Sequence, residues 1–179
     1  GAHPFVPPFP GASLDGVVAL RTLDDTESLL RHATKGNPIV CIGGGILGLE
    51  MAGGLAKRGA AVTVLESYEW LLPRQLDPEA GGMLERHAAS LGIAVRYQAK
   101  TAAIEGNGCV TGVRLEDGTV LPAACVAIAT GVRANTHLVR AIGLTVNQGL
   151  VVDNRMATSH PDIFAAGDMA EHQGVVYGL

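Results

Sequence analysis

The sequence predicts an α/β fold in which a parallel sheet, covered by helices, carries a three-stranded antiparallel β-meander. Three observations lead there. Two short apolar runs, Ile39 to Ile42 and Ala61 to Leu65, flank a helical stretch that begins in glycines and stops at Gly59. Strand, tight turn, helix and strand in that order make a βαβ unit, whose crossover leaves its strands parallel. Further on, the turn signals Asn107-Gly108 and Asp117-Gly118 cut the chain into three strand-like pieces, about Lys100 to Glu105, Cys109 to Glu116 and Thr119 to Ala129, as successive hairpins do. Finally, 47% hydrophobic and 17% charged residues in 179 positions suit a globule with a real core and not a disordered chain.

Gly1 to Gly16, with prolines at positions 4, 7, 8 and 10, is expected to be a connector without regular structure. Val17 to Leu23 is strand-like, and Asp24-Asp25 supplies an acidic first turn for a helix carrying Leu29, Leu30 and Ala33 and ending near Gly36. After the second strand, Ser67 to Leu76 is a loop. Asp77-Pro78 then starts a helix with a capping acid and a proline at the first helical position. Met83, Leu84, Ala88 and Leu91 are expected to form its buried face, and Gly92 ends it. Ile93, Val95 and Tyr97 alternate as in a strand. Beyond the meander come Ile128 to Arg133, a short helix around Leu138 to Ile142, a strand near Leu150 to Val152, and an apolar strand from Asp162 that ends in Gly167-Asp168.

The most informative stretch is Ile42-Gly43-Gly44-Gly45-Ile46-Leu47-Gly48-Leu49-Glu50. In a Rossmann-like dinucleotide-binding domain Gly43 permits the tight turn, Gly45 lets the backbone approach a pyrophosphate, and Gly48 lets the helix lie close on the sheet. Free amides at the helix start face the phosphate charge. Glu66 ends the second strand, about twenty residues on, where this fold places an acid that accepts hydrogen bonds from the adenosine ribose. The same carboxylate repels a 2′-phosphate, so NAD(H) is favoured over NADP(H). Arg74, close by in sequence, keeps the second cofactor open.

Other chemistries find little support. A net charge of −4 without a basic run argues against nucleic acid or an anionic membrane as partner. No apolar stretch has the length of a membrane span and no signal peptide is visible, so the default expectation is a cytoplasmic protein. Cys41, Cys109 and Cys125 are widely spaced in apolar runs and are expected in the core; no close pair suggests a redox dithiol or zinc site. The histidines lack metal-ligand spacing, and His87 is read as a helix packing or surface residue. No metal and no catalytic acid or base is assigned.

Taken together these segments resemble the FAD-dependent pyridine nucleotide-disulfide oxidoreductase superfamily over nearly the whole chain. The opening PFVPPFPG is similar to the segment after the first flavin-domain crossover, GGGILGLE with Glu66 to the NAD motif, IATGVRAN to the second crossover, and TSHPDIFAAGD to the second flavin-binding motif. LLPRQLD and the ending EHQGVVYGL look most like the NAD(P)H-oxidising large subunit of assimilatory nitrite reductases and its rubredoxin-reductase-like relatives. The resemblance implies that Gly43, Gly45, Ile46, Leu47 and Gly48 hold the pyrophosphate, Glu66 the adenosine ribose, and that Glu50 lies near the nicotinamide. It implies that Gly131 and Val132 border the nicotinamide, and that Gly167 and Asp168 belong to the FAD site. The sequence departs from the family at Ile46, where an aromatic or bulky gate is usual, at Ala124-Cys125, where an acid is usual, and at Ala134, which replaces a proline.

Divided accordingly, residues 1–23 are a linker and stub of a flavin domain, 24–133 the NAD(P)-binding core, and 134–179 a return segment bearing the second flavin motif. The expected function is NAD(H) binding within a flavin-dependent oxidoreductase, FAD being held only by the full-length parent. Its expected partners are the rest of that flavin domain and a downstream redox acceptor. The isolated chain is expected to bind nucleotide without turning over. A stand-alone NAD(H)-sensing module is the alternative, and a methyltransferase using the same glycine turn is disfavoured by the meander.

Overall fold

The computed structural model describes residues 1–176; of the terminal EHQGVVYGL run, residues 177–179 lie outside the described residues. In chain order the elements are β1 (Ala2–Pro4), β2 (Val17–Ala19), α1 (Leu23–His32), β3 (Pro38–Ile42), α2 (Ile46–Lys57), β4 (Ala61–Leu65), α3 (Pro78–Ser90), β5 (Ala94–Arg96), β6 (Thr101–Asn107), β7 (Cys109–Leu115), β8 (Val120–Pro122) and β9 (Cys125–Ile128). They continue with β10 (Val132–Ala134), α4 (His137–Ala141), β11 (Leu150–Val152), β12 (Ala170–His172) and β13 (Val175–Val176). The chain forms two compact units: Val6–Thr130, and Gly1–Phe5 with the segment from Gly131 onward.

The larger unit is built on a five-stranded sheet of order β2-β9-β3-β4-β5, every pairing parallel. Its strands have two buried faces, and alternate residues serve alternate cores. Ile39, Cys41, Val62, Val64, Cys125 and Ala127 pack with Leu29, Met51, Leu55 and Ala88 from the helices. Val40, Ile42, Leu65, Val126 and Ile128 face Ile104, Val113 and Leu115 of the meander β6-β7-β8. The sheet is therefore sandwiched between helices and meander, with its glycine turn at the carboxyl end of β3.

Local signals explain most boundaries. Thr22 caps α1 through a reciprocal box with Asp25, whose carboxylate takes the Thr22 N–H at 2.7 Å. The helix starts at Leu23, ahead of the acidic pair, and stops at His32, short of Gly36. Asp77 caps α3 by accepting the Ala80 N–H at 2.9 Å, with Pro78 at the first position. The turns at Gly108 and Gly118 fall where expected, both with positive φ.

Several expectations need correction. Met83 is 61% and Leu91 42% exposed. The face of α3 that is buried runs through Gly81 and Ala88; Met83 lies about 140° around the helix from Ala88, and Leu91 is the C-cap residue, where the helix ends. The third strand-like piece is two strands: β8 closes the meander, and after Ala123-Ala124 the chain enters the parallel sheet as β9 between β2 and β3. Cys109 is exposed at the β6–β7 hairpin, unlike buried Cys41 and Cys125. Hairpin ends face solvent even when their strands are apolar.

The smaller unit holds β1 antiparallel to β10 and a three-stranded sheet of order β11-β12-β13. Residues 2–4, expected to be irregular, thus form a strand; Pro4 closes it, where a missing donor is tolerated. The Arg133 guanidinium stacks on the Phe5 ring at 3.9 Å. Val139, Leu144 and Leu150 form a small core with Ile163 and Ala165. Residues 162–168 are an extended loop with one bridge, Ala157 to Phe164, and Phe164 is exposed. Glu171 is buried and accepts the Gly149 N–H at 2.7 Å and the Asn147 side-chain amide at 3.2 Å. Those bonds, the backbone one foremost, hold its carboxyl below the usual range.

Candidate nucleotide site

The glycine turn is shaped by close approach. Gly43 has φ +109°, and a β-carbon there would strike the carbonyl of Ala129, just past the end of β9. Its N–H donates to the Leu65 carbonyl at 2.9 Å, which ties the turn to β4. A β-carbon on Gly48 would overlap the Gly43 carbonyl oxygen and lie 3.3 Å from Ala129 Cβ. The helix can sit this close only with glycine. Around Gly45, by contrast, a β-carbon would meet nothing within 4 Å. The backbone there borders open space, as a bound pyrophosphate requires.

Gly45 is also the N-cap of α2, and no side chain caps that first turn. Its amides are free for an anion, and the helix dipole adds partial positive charge. Ile46 and Leu47 are 57% and 41% exposed beside the turn. Glu50 is exposed one turn beyond Ile46, on the same helical face.

Glu66 follows β4 and is only 6% exposed. Its backbone is fixed by two bonds to the neighbouring segment, N–H to the Arg96 carbonyl at 2.8 Å and carbonyl from the Ala99 N–H at 2.9 Å. Its carboxylate reaches back to the glycine turn. Oε2 accepts the Gly44 N–H at 3.1 Å, while Oε1 accepts the Tyr68 N–H at 3.0 Å and the Ser67 hydroxyl at 3.3 Å. The loop beyond is packed: Leu71 is fully buried, and the Trp70 indole N–H donates to the Leu76 carbonyl at 3.0 Å. Arg74 is exposed on this loop, and among the described residues no ion pair joins it to Glu66. A cleft of about 570 Å³ opens at Ser67, lined also by Gln98, Lys100, Glu116 and Asp117 among others.

The larger unit thus gathers Gly43, Gly45, Ile46, Leu47, Gly48, Glu50 and Glu66. Sequence reasoning missed Gly44, Ser67 and Tyr68, which hold the Glu66 carboxylate. The middle glycine of an uninterrupted run of three is the available signal, since the GxGxxG pattern does not ask for it. In the smaller unit Gly131 and Val132 are exposed at the start of β10, and Gly167, with φ +81°, leads with half-buried Asp168 into β12. An open turn, uncapped amides and a strand-end carboxylate fit an anionic dinucleotide with a free ribose; the Gly167-Asp168 turn offers an acceptor suited to a polyhydroxyl chain. Among the described residues no cluster could hold a metal ion, and no helix is long and apolar enough to cross a membrane.

Comparison with known proteins agrees with this fold. The model of the family described as pyridine nucleotide-disulphide oxidoreductase matches residues 1–177. Nitrite reductase [NAD(P)H] of Bacillus subtilis (strain 168) is 40% identical over 179 residues, which are all of this chain and 22% of that protein. The ferredoxin reductase for the CYP199A2 system from Rhodopseudomonas palustris superposes with a TM-score of 0.90 at 35% identity, covering 99% of this chain and 44% of that one. The reductase in a covalent putidaredoxin reductase–putidaredoxin complex also gives 0.90, at 33% identity, with 99% and 44% covered. The chain spans under half the length of each of these relatives.

Proposed function

The chain belongs to the pyridine nucleotide-disulphide oxidoreductase family, and on that footing we propose that it is the NAD(H)-binding part of a flavin-dependent reductase. The whole protein would pass hydride from NAD(P)H to FAD and electrons onward to an acceptor such as nitrite reductase centres or a small redox protein. The observation that carries the nucleotide reading is the Glu66 carboxylate, buried at the strand end and bonded back to the glycine turn.

Nicotinamide and flavin supply the hydride chemistry when bound, and the protein supplies binding, orientation and electrostatics. In this reading the uncapped amides of α2 and the open side of Gly45 take the pyrophosphate. Glu66 accepts an adenosine ribose hydroxyl and repels a 2′-phosphate, which favours NAD(H). Ile46 and Leu47 flank the pyrophosphate at the start of α2, and Glu50, one turn on, lies toward the nicotinamide end. Gly167 and Asp168 contribute to the FAD site. Arg74, exposed and unpaired with Glu66, is the residue that would favour NADP(H) instead.

Calorimetric titration of the chain with NADH and NADPH, repeated with Glu66→Ala, tests this. A hydrogen bond to a charged group is worth about 1.5–3 kcal/mol, so NADH affinity is expected to fall about tenfold or more in the variant, with NADPH affected less. Failure of the wild-type chain to bind either nucleotide overturns the reading.

A further inference from the structure

Gly44 lies between the two glycines that the dinucleotide pattern requires, and its own φ is not in the left-handed region. Backbone conformation does not explain why the position lacks a side chain. Space does. A β-carbon on Gly44 would lie 2.7 Å from Glu66 Oε2, 2.9 Å from Leu71 Cδ2 and 3.2 Å from Glu66 Cβ. Leu71 is fully buried and has nowhere to retreat. The one mobile neighbour is the carboxylate itself.

An ionised carboxylate has about four acceptor positions. Three are engaged here: Oε1 by the Tyr68 N–H and the Ser67 hydroxyl, Oε2 by the Gly44 N–H. Turning the group away would leave the buried Gly44 amide without its partner, and an unpaired buried donor is costly. The acid therefore has one open acceptor position, and turning it away breaks its bond to the Gly44 amide. A solvated glutamate could swing aside from a 2′-phosphate; this one is held against it.

We propose that Gly44 is a positioning residue for cofactor selection, whose amide and missing β-carbon together lock Glu66 in the orientation that accepts a ribose hydroxyl and excludes a 2′-phosphate. The proposal rests on the nucleotide-binding reading above and adds to it that charge at position 66 is insufficient without the lock.

The test is calorimetric titration of wild type, Gly44→Ala and Glu66→Asp with NADH and with NADPH, each variant first checked for cooperative thermal unfolding. In Gly44→Ala the β-carbon displaces Oε2, and the preference for NADH over NADPH is expected to drop at least about tenfold, on the scale of one charge-assisted hydrogen bond. The shorter Glu66→Asp keeps the charge, which the fold in general accepts at this position, yet cannot reach both Gly44 and the ribose. It is expected to lose preference to a similar degree, and it answers the question should Gly44→Ala not fold. A folded Gly44→Ala, or a Glu66→Asp, that keeps the wild-type preference overturns the proposal. If Glu66→Ala alone abolishes the preference, the nucleotide reading stands and only the lock falls. If the wild-type chain binds neither nucleotide, both fall.

Discussion

Adjacent glycines on α3 make a matched pair. Gly81 is buried, and a β-carbon there would lie 2.7 Å from Trp70 Cδ1 and 3.1 Å from Trp70 Cβ and Cγ. Gly82 is half-buried, and the nearest atom to its β-carbon would be an Arg86 guanidinium nitrogen at 3.7 Å. In a helix interior alanine is favoured over glycine by about 0.8–1 kcal/mol. Gly82→Ala should gain most of that. Gly81→Ala gains it too, but overpacking against an ordered ring costs about 1–3 kcal/mol. The indole is anchored by its bond to the Leu76 carbonyl, so it cannot simply move off. The two variants should therefore differ in unfolding free energy by the overpacking cost, about 1–3 kcal/mol, with Gly81→Ala the less stable. Chemical denaturation followed by the fluorescence of Trp70, the single tryptophan, reads both. Gly81→Ala should also shift the native emission, and weaken NADH binding because the displaced loop carries the Tyr68 amide that steadies Glu66. Equal stabilisation by both alanines, with unchanged emission, would refute the packing argument.

Two further outcomes follow from the side-chain environments. Burial, with the Cys125 thiol beside it, raises Cys41 to about 12, and burial with nearby Asp15 raises Cys125 to about 11; since the thiolate is the reactive form, a thiol reagent at pH 8 should modify only exposed Cys109 in the native chain and all three cysteines after unfolding. In the smaller unit, bonds from Gly149 and Asn147 to Glu171, and from the Ala157 and Arg155 amides to Asp153, hold both carboxyls below their usual range. Their folded values are depressed, so their contribution is present above the ordinary carboxylate range and lost as pH falls through the lowered values, below about pH 4. Protection against hydrogen exchange around β11 and β12 should fall over that window, and Glu171→Gln should flatten its pH dependence.

Strong local rules made much of the fold legible. The Asp77-Pro78 start, the Asn107-Gly108 and Asp117-Gly118 turns and the strand-helix-strand around the glycines each rest on a conformation that few residues provide. What stayed hidden depends on contacts distant in sequence. Nothing near Ala2 announces that it pairs with Ala134, and nothing in the run from Thr119 to Ala129 marks the corner at Ala123-Ala124, because both halves are equally apolar. Met83 is misplaced because composition suggests a buried face while helical angle decides it, and Leu91 because it falls at the C-cap, where the helix ends. At the site, Glu66 could be placed at a strand end by counting. Its three donors could not: Ser67 and Tyr68 look like ordinary loop residues, and the need for Gly44 appears only when the space around it is measured.

The insertion of β9 between β2 and β3 sets an order of events during synthesis. Val126 pairs with both Val17 and Val40, so a ribosome must deliver the whole meander before the sheet can close. Until then β2 has no partner strand and β3 exposes an open edge, the kind of surface that invites wrong pairing. Contacts so far apart in sequence also slow the search for the native arrangement. The meander hairpins, made of neighbouring segments, can form early and wait as a template onto which the parallel sheet is laid. A nascent chain halted before residue 125 should accordingly remain protease-sensitive around β2, and protection should arrive abruptly once β9 has emerged.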